Sequence, residues 1–142
     1  MTQHQYTIAP SDMAFHALTT SLYKDRLRAP VREILSNSID SQNRLGQTRS
    51  IEIKLPTALD TQFRIRDYGS GLSKGDMKRL YSSLFSSDKH LTRPNEVGGF
   101  GVGAKSPFAY TDAFTVESYY NGKHTVYSAF MDGNRAPQLL EL

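Results

Sequence analysis

The chain has no cysteine. That excludes thiol nucleophiles, cysteine-ligated zinc, iron–sulfur clusters and disulfides at once, and is compatible with a reducing compartment, so the cytoplasm is the default expectation. No apolar run approaches the roughly 18–20 residues of a membrane helix. The opening Met1-Thr2-Gln3-His4-Gln5-Tyr6 lacks the apolar stretch of a secretory leader. Charge of one sign is scarce as well: the formal net charge is +3, and the basic groups Lys24/Arg26/Arg28/Arg32 and Lys74/Lys78/Arg79 read as solvated helix faces rather than a nucleic-acid footprint. Nucleic acid is therefore not an expected partner. His4, His16, His90 and His124 fall at no metal-ligand spacing.

What remains is globular, with 38% hydrophobic and 22% charged residues. A chain of 142 residues is expected to form one domain, 1–142, that buries about two-thirds of its unfolded surface. Glycine is distributed unevenly. Six of the ten lie in two short stretches, Gly69/Gly71 and Gly98/Gly99/Gly101/Gly103, a pattern expected where backbone approaches a ligand in two places.

Periodicity supplies the elements. Asp12, Met13, Phe15, His16, Leu18, Leu22 and Tyr23 give a helix over 12–23, and a second begins near Pro30, runs to about Asn43 and stops at Gly46. Alternation over 50–55 and 62–66 predicts a hairpin with one buried face. Ser73 and Asp76 form a capping box ahead of a helix with Met77, Leu80, Tyr81, Leu84 and Phe85 on one stripe. The polar run 86–99 is long for a plain connection and reads as a lid. A short helix is expected over Val102–Ala109, then strands 113–120 and 123–131 joined at Asn121-Gly122. The tail 132–142 reads as irregular. This order predicts an α+β two-layer sandwich, mostly antiparallel, with helices on one face.

In the second helix Glu33, Asn37 and Asp40 lie within about 60° of one another at roughly 100° per residue. Val31, Ile34, Leu35 and Ile39, with Ser38 among them, form the far side, expected to pack on the sheet. Two carboxylates and an amide oxygen on one stripe suit Mg²⁺, which takes few protein oxygens and keeps waters and phosphates, and a carboxylate there can orient or deprotonate a water. An ordinary solvated face is the plain alternative.

Gly98 to Gly103 fits the first six positions of a P-loop, but Ala104 intrudes before Lys105-Ser106, and no strand leads into it. The dinucleotide fingerprint fails because Ser106 stands where glycine is required. Asp67-Tyr68-Gly69-Ser70-Gly71 at a strand end is an acceptor carboxylate followed by turn glycines.

Taken in order, Glu33-Ile34-Leu35-Ser36-Asn37-Ser38-Ile39-Asp40, Asp67-Tyr68-Gly69-Ser70-Gly71 and Gly98-Gly99-Phe100-Gly101-Val102-Gly103 resemble the N box and the two glycine boxes of the GHKL ATPases, whose nucleotide-binding domain is the Bergerat fold. Arg32-Glu33-Ile34-Leu35, Leu84-Phe85-Ser86-Ser87, the run Gly98 to Asp112 and Phe130-Met131-Asp132-Gly133 look more narrowly like the N-terminal part of phage rIIA-type proteins. The resemblance implies that Asn37 ligates Mg²⁺, that Glu33 is the general base, and that Asp67 accepts from the adenine amino group. It implies that Asp40 and Gly71 line the base and sugar region. Gly99, Gly101 and Gly103 would then give N–H groups to the phosphates from a lid over about 86–103. Lys105 either reaches a phosphate as a point charge or faces solvent.

The pattern departs from the family in two respects: no candidate is seen beyond 123–131 for the later strand whose threonine supports the adenine-binding aspartate, and a transducer segment is not expected within these 142 residues. The resemblance therefore implies ATP binding with slow Mg²⁺-dependent hydrolysis. The alternative is a catalytically silent phage accessory protein that binds a host or phage protein. It further implies homodimerisation and a place in the host cytoplasm, with peripheral membrane association.

Overall fold

A computed structural model describes residues 5–7, 25–82, 103–135 and 137–142. The expected helix over 12–23, the lid residues 86–102, and Leu84 and Phe85 lie outside the described residues. Strand β1 (Gln5–Thr7) precedes helix α1 (Arg28–Leu45), which is followed by β2 (Glu52–Lys54), β3 (Arg64–Arg66) and helix α2 (Lys74–Ser82). A 3-10 helix (Gly103–Ala109) then leads into β4 (Ala113–Tyr120), β5 (Lys123–Met131) and β6 (Pro137–Glu141). The fold is α+β: β1, β6, β5 and β4 form one antiparallel sheet in that order, and β2 pairs with β3 in a second, two-stranded sheet.

The elements begin and end where local chemistry dictates. The Asp25 carboxylate accepts from the N–H groups of Leu27 (3.2 Å) and Arg28 (3.0 Å), satisfying donors that a helix leaves unpaired at its start. Asn121 and Gly122 both take positive φ (48° and 72°), as the tight β4–β5 turn requires. Its register then pairs Tyr119 with His124 and Phe114 with Ala129.

The expected box at the head of α2 is present. Ser73 Oγ accepts from Asp76 N–H (3.1 Å), and the Asp76 carboxylate accepts from Ser73 N–H (3.2 Å) and Ser73 Oγ–H (2.6 Å). The Ser73 hydroxyl, assisted by Arg79, holds the Asp76 carboxyl below its ordinary value of 3.8. A depressed carboxyl contributes stability above its unfolded pKa and loses it as pH falls through the folded one, so this contribution disappears in acid, below pH 3.8. Ser73→Ala should cost about 1 kcal/mol in urea unfolding at neutral pH and less in acid.

The core lies between α2, the 3-10 helix and the four-stranded sheet. Met77 and Tyr81 from α2, Phe108 from the 3-10 helix, Tyr127 and Ala129 from β5 and Leu139 from β6 are buried together. Phe108 meets Phe114 edge-on, with centroids 4.8 Å apart.

Three expectations are corrected. The tail is not irregular: residues 137–141 form β6, which lies between β1 and β5 and so follows the 123–131 strand directly. Its sequence, Pro-Gln-Leu-Leu-Glu, contains no threonine. Among the described residues α1 lies on the 3-10 helix and β3 rather than on the four-stranded sheet, and of the expected far side Ser38 is buried, together with Pro30 and Gln42. Val31, Leu35 and Ile39 instead line an open groove with Leu27, Arg28, Arg32 and Ser36. The β2–β3 hairpin does not bury its apolar face, since Ile53 is 49% and Leu55 66% exposed.

Candidate functional site

One helix carries both ends of the site. The 3-10 helix begins against the first half of α1, where a Cβ built on Gly103 would stand 2.8 Å from Glu33 Oε2 and 3.5 Å from Asn37 Nδ2. A side chain at 103 would displace the Glu33 carboxylate from this position. The structure thus brings together Glu33, Asn37 and Gly103, residues from two separate sequence motifs. Gly99 and Gly101 lie outside the described residues.

Toward the C-terminal half of α1 the first glycine motif docks. A Cβ on Gly69 would overlap the Ser41 hydroxyl and stand 2.9 Å from Asp67 Oδ1, and Asp67 Oδ1 accepts from Gly69 N–H at 2.8 Å. At about 1.5 Å rise per residue, Glu33 and Asn37 lie roughly 12 and 6 Å along the axis from Ser41, with Asp40 between. Asp40 and Asp67 are both half-buried.

The Asp67 turn is held from several sides. Buried Gln42 donates from Nε2 to Arg49 O (2.7 Å) and accepts from Tyr68 N–H (3.0 Å). Buried Ser118 on β4 accepts from Leu72 N–H and donates to Leu72 O, both at 2.8 Å. Gly71 has φ +68° and lies against the Tyr119 carbonyl so closely that a Cβ would overlap it. Tyr68, just past β3, turns toward the β2–β3 hairpin. There its phenol donates to the Glu52 carboxylate, which raises its pKa above the ordinary value, and its ring lies under the Arg49 guanidinium at 3.6 Å. Arg66 lies between the rings of Tyr68 (4.9 Å) and Tyr119 (5.5 Å), tying the two sheets together.

Lys105 is 1% exposed on the 3-10 helix, so the reading in which it faces solvent is corrected. Burial lowers its pKa to about 8. The neighbouring Ser106 is also fully buried, and its hydroxyl has no hydrogen-bond partner among the described residues.

Ser41, Gln42 and Ser118 were not singled out by their sequence pattern. Two signals were available. Gln42 continues the i, i+4 row from Ser38 on the buried side of α1, and Ser118 occupies the inward register of β4 with Phe114 and Val116.

As to a metal, no group of three His, Asp or Glu side chains converges among the described residues. Glu33 and Asn37, close together at Gly103, instead offer the small set of hard oxygens that suits Mg²⁺, an ion that keeps most of its shell as water and phosphate.

A helix bearing carboxylate and amide oxygens, with the Asp67–Gly71 turn and Gly103 both against it on an antiparallel α+β scaffold, places the chain in the nucleotide-binding class. More particularly, the chain belongs to the histidine kinase-, DNA gyrase B- and HSP90-like ATPase family, whose family model matches residues 26–136. No curated protein gives a significant match.

Proposed function

We propose that the protein binds ATP with Mg²⁺ along α1 and hydrolyses it slowly. The observation that carries this reading is that Glu33, Asn37 and Gly103 meet at one end of α1 while the Asp67 turn docks on Ser41 toward the other. Family membership supports it. In this reading Asp67 accepts from the adenine amino group, and Asp40 and Gly71 line the base and sugar. Gly99, Gly101 and Gly103 give backbone N–H groups to the phosphates, and Lys105 supplies a buried positive charge. Asn37 would hold Mg²⁺, with Glu33 close by, and the ion would neutralise charge on the phosphates. Glu33 orients a water and takes its proton as the water oxygen attacks the γ-phosphorus, and the bond from that phosphorus to the β–γ bridging oxygen breaks to release ADP.

Calorimetry with Mg-ATP tests it. The native protein should bind, Asp67→Asn should weaken binding about tenfold or more, and Glu33→Ala should bind without turnover. Absence of binding to the native protein would refute the proposal.

A second reading takes the protein as a phage rIIA-like accessory protein of the host cytoplasm, peripheral to the membrane, that homodimerises or binds a host or phage protein. The open groove of Leu27, Val31, Leu35 and Ile39 favours it. No helix among the described residues is long and apolar enough to cross a membrane. Capture of a defined partner that is lost in Leu35→Lys and indifferent to ATP would favour this second reading.

A further inference from the structure

We infer that Gln42 is a positioning residue that sets base selectivity by fixing the peptide immediately after Asp67; this rests on the reading in which Asp67 meets the base. Gln42 is 6% exposed and uses both ends of its amide, giving a hydrogen to Arg49 O at 2.7 Å and taking one from Tyr68 N–H at 3.0 Å. The Tyr68 N–H belongs to the peptide that joins Asp67 to Tyr68. Holding that peptide plane fixes the direction in which the Asp67 side chain leaves the backbone.

The rest of the turn is held in the same way. Asp67 Oδ1 is engaged by Gly69 N–H, so Oδ2 is the oxygen left to meet a ligand. Gly69 rests against Ser41, the residue before Gln42, and the far end is closed by Ser118, whose hydroxyl satisfies both backbone groups of Leu72. A loop carrying the base-reading carboxylate is thereby fastened to the helix that carries Glu33 and Asn37. The hydrogen-bonding link is the buried Gln42 side chain, five residues past Asn37 on the same helix. Gln42 touches no ligand in this arrangement. Its effect passes through Asp67, so it acts on discrimination between bases and leaves the phosphate end unaltered.

Three ligands separate this role from a general structural one: Mg-ATP, the triphosphate of purine riboside, which lacks the amino group, and inorganic tripolyphosphate. In the native protein ATP should bind about tenfold more tightly than the purine riboside analogue, the worth of one charge-assisted hydrogen bond. In Gln42→Leu that ratio should fall to about threefold or less while tripolyphosphate binds as before. Gln42→Glu keeps an oxygen for Tyr68 N–H but gives up the donor to Arg49 O, and should restore the ratio in part. Should the leucine variant not fold, Gln42→Asn, one methylene too short to span both partners, should lower the ratio in its place. Equal weakening of all three ligands, or a native ratio retained in the variant, overturns the role of Gln42 alone. A native protein without any preference for ATP overturns the Asp67 reading and this inference with it.

Discussion

Gly71→Ala should destabilise the protein by about 2–5 kcal/mol in chemical denaturation. Two costs add. At φ +68° a residue with a Cβ pays about 1–2 kcal/mol for the left-handed conformation. The new methyl would also overlap the Tyr119 carbonyl, which is backbone within a paired strand and cannot rotate away, and overpacking of this kind costs about 1–3 kcal/mol. Gly122→Ala is the internal control. Its φ is +72° but nothing lies within 4 Å of the added carbon, so only the conformational cost applies. The difference between the two variants measures the overlap, and equal losses would show that the turn does not press on β4.

The folded positions of the strands were legible in proportion to how far local signals decide them. β4 and β5 appear at 113–120 and 123–131 as expected because alternation and Asn121-Gly122 agree, and the turn leaves no freedom of register. β6 was illegible for a physical reason. It lies between two strands, so Pro137, Gln138 and Leu139 are buried in succession and leave no period of two to read. Its proline occupies the first position of the strand, where the missing N–H is tolerated.

On α1 the polar stripe of Glu33, Asn37 and Asp40 could be read from helical geometry and Ser38 was placed on the far side, but hydropathy misjudged which residues of that side are buried deepest. Small and hydrogen-bonding residues at Ser38 and Gln42 let the helix approach its neighbours, and the larger apolar residues were left in the groove. The residues that secure the Asp67 turn escaped because their partners are remote in sequence: Gln42 reaches Tyr68, 26 positions away, and Ser118 reaches Leu72 across 46. Each is an ordinary polar residue until the fold supplies its partner.

Lys105 should give the protein a stability that rises with pH above neutrality. Its pKa falls from 10.5 to about 8 because burial disfavours the ammonium form. The unfolded chain therefore binds more protons than the folded one between those values, and stability climbs as pH rises through that window. Below pH 8 the full penalty of the buried charge applies; above 10.5 none remains. At about 1.4 kcal/mol per unit of pKa the climb amounts to about 3 kcal/mol. Denaturation of the native protein and Lys105→Met across this range, compared pairwise so that exposed lysines and tyrosines cancel, should show the slope in the native protein and its loss in the variant. Parallel profiles would show that the lysine is not titrating in a buried setting. Nucleotide connects this behaviour to the site. In the proposed reading a triphosphate bound near Lys105 adds negative charge beside the ammonium, which raises the lysine pKa again. ATP binding near pH 8 should then take up a proton, detectable as a dependence of the binding enthalpy on the ionisation enthalpy of the buffer, and that dependence should be absent in Lys105→Met. Proton uptake that persists in Lys105→Met would place the titrating group elsewhere and remove Lys105 from the phosphate end of the site.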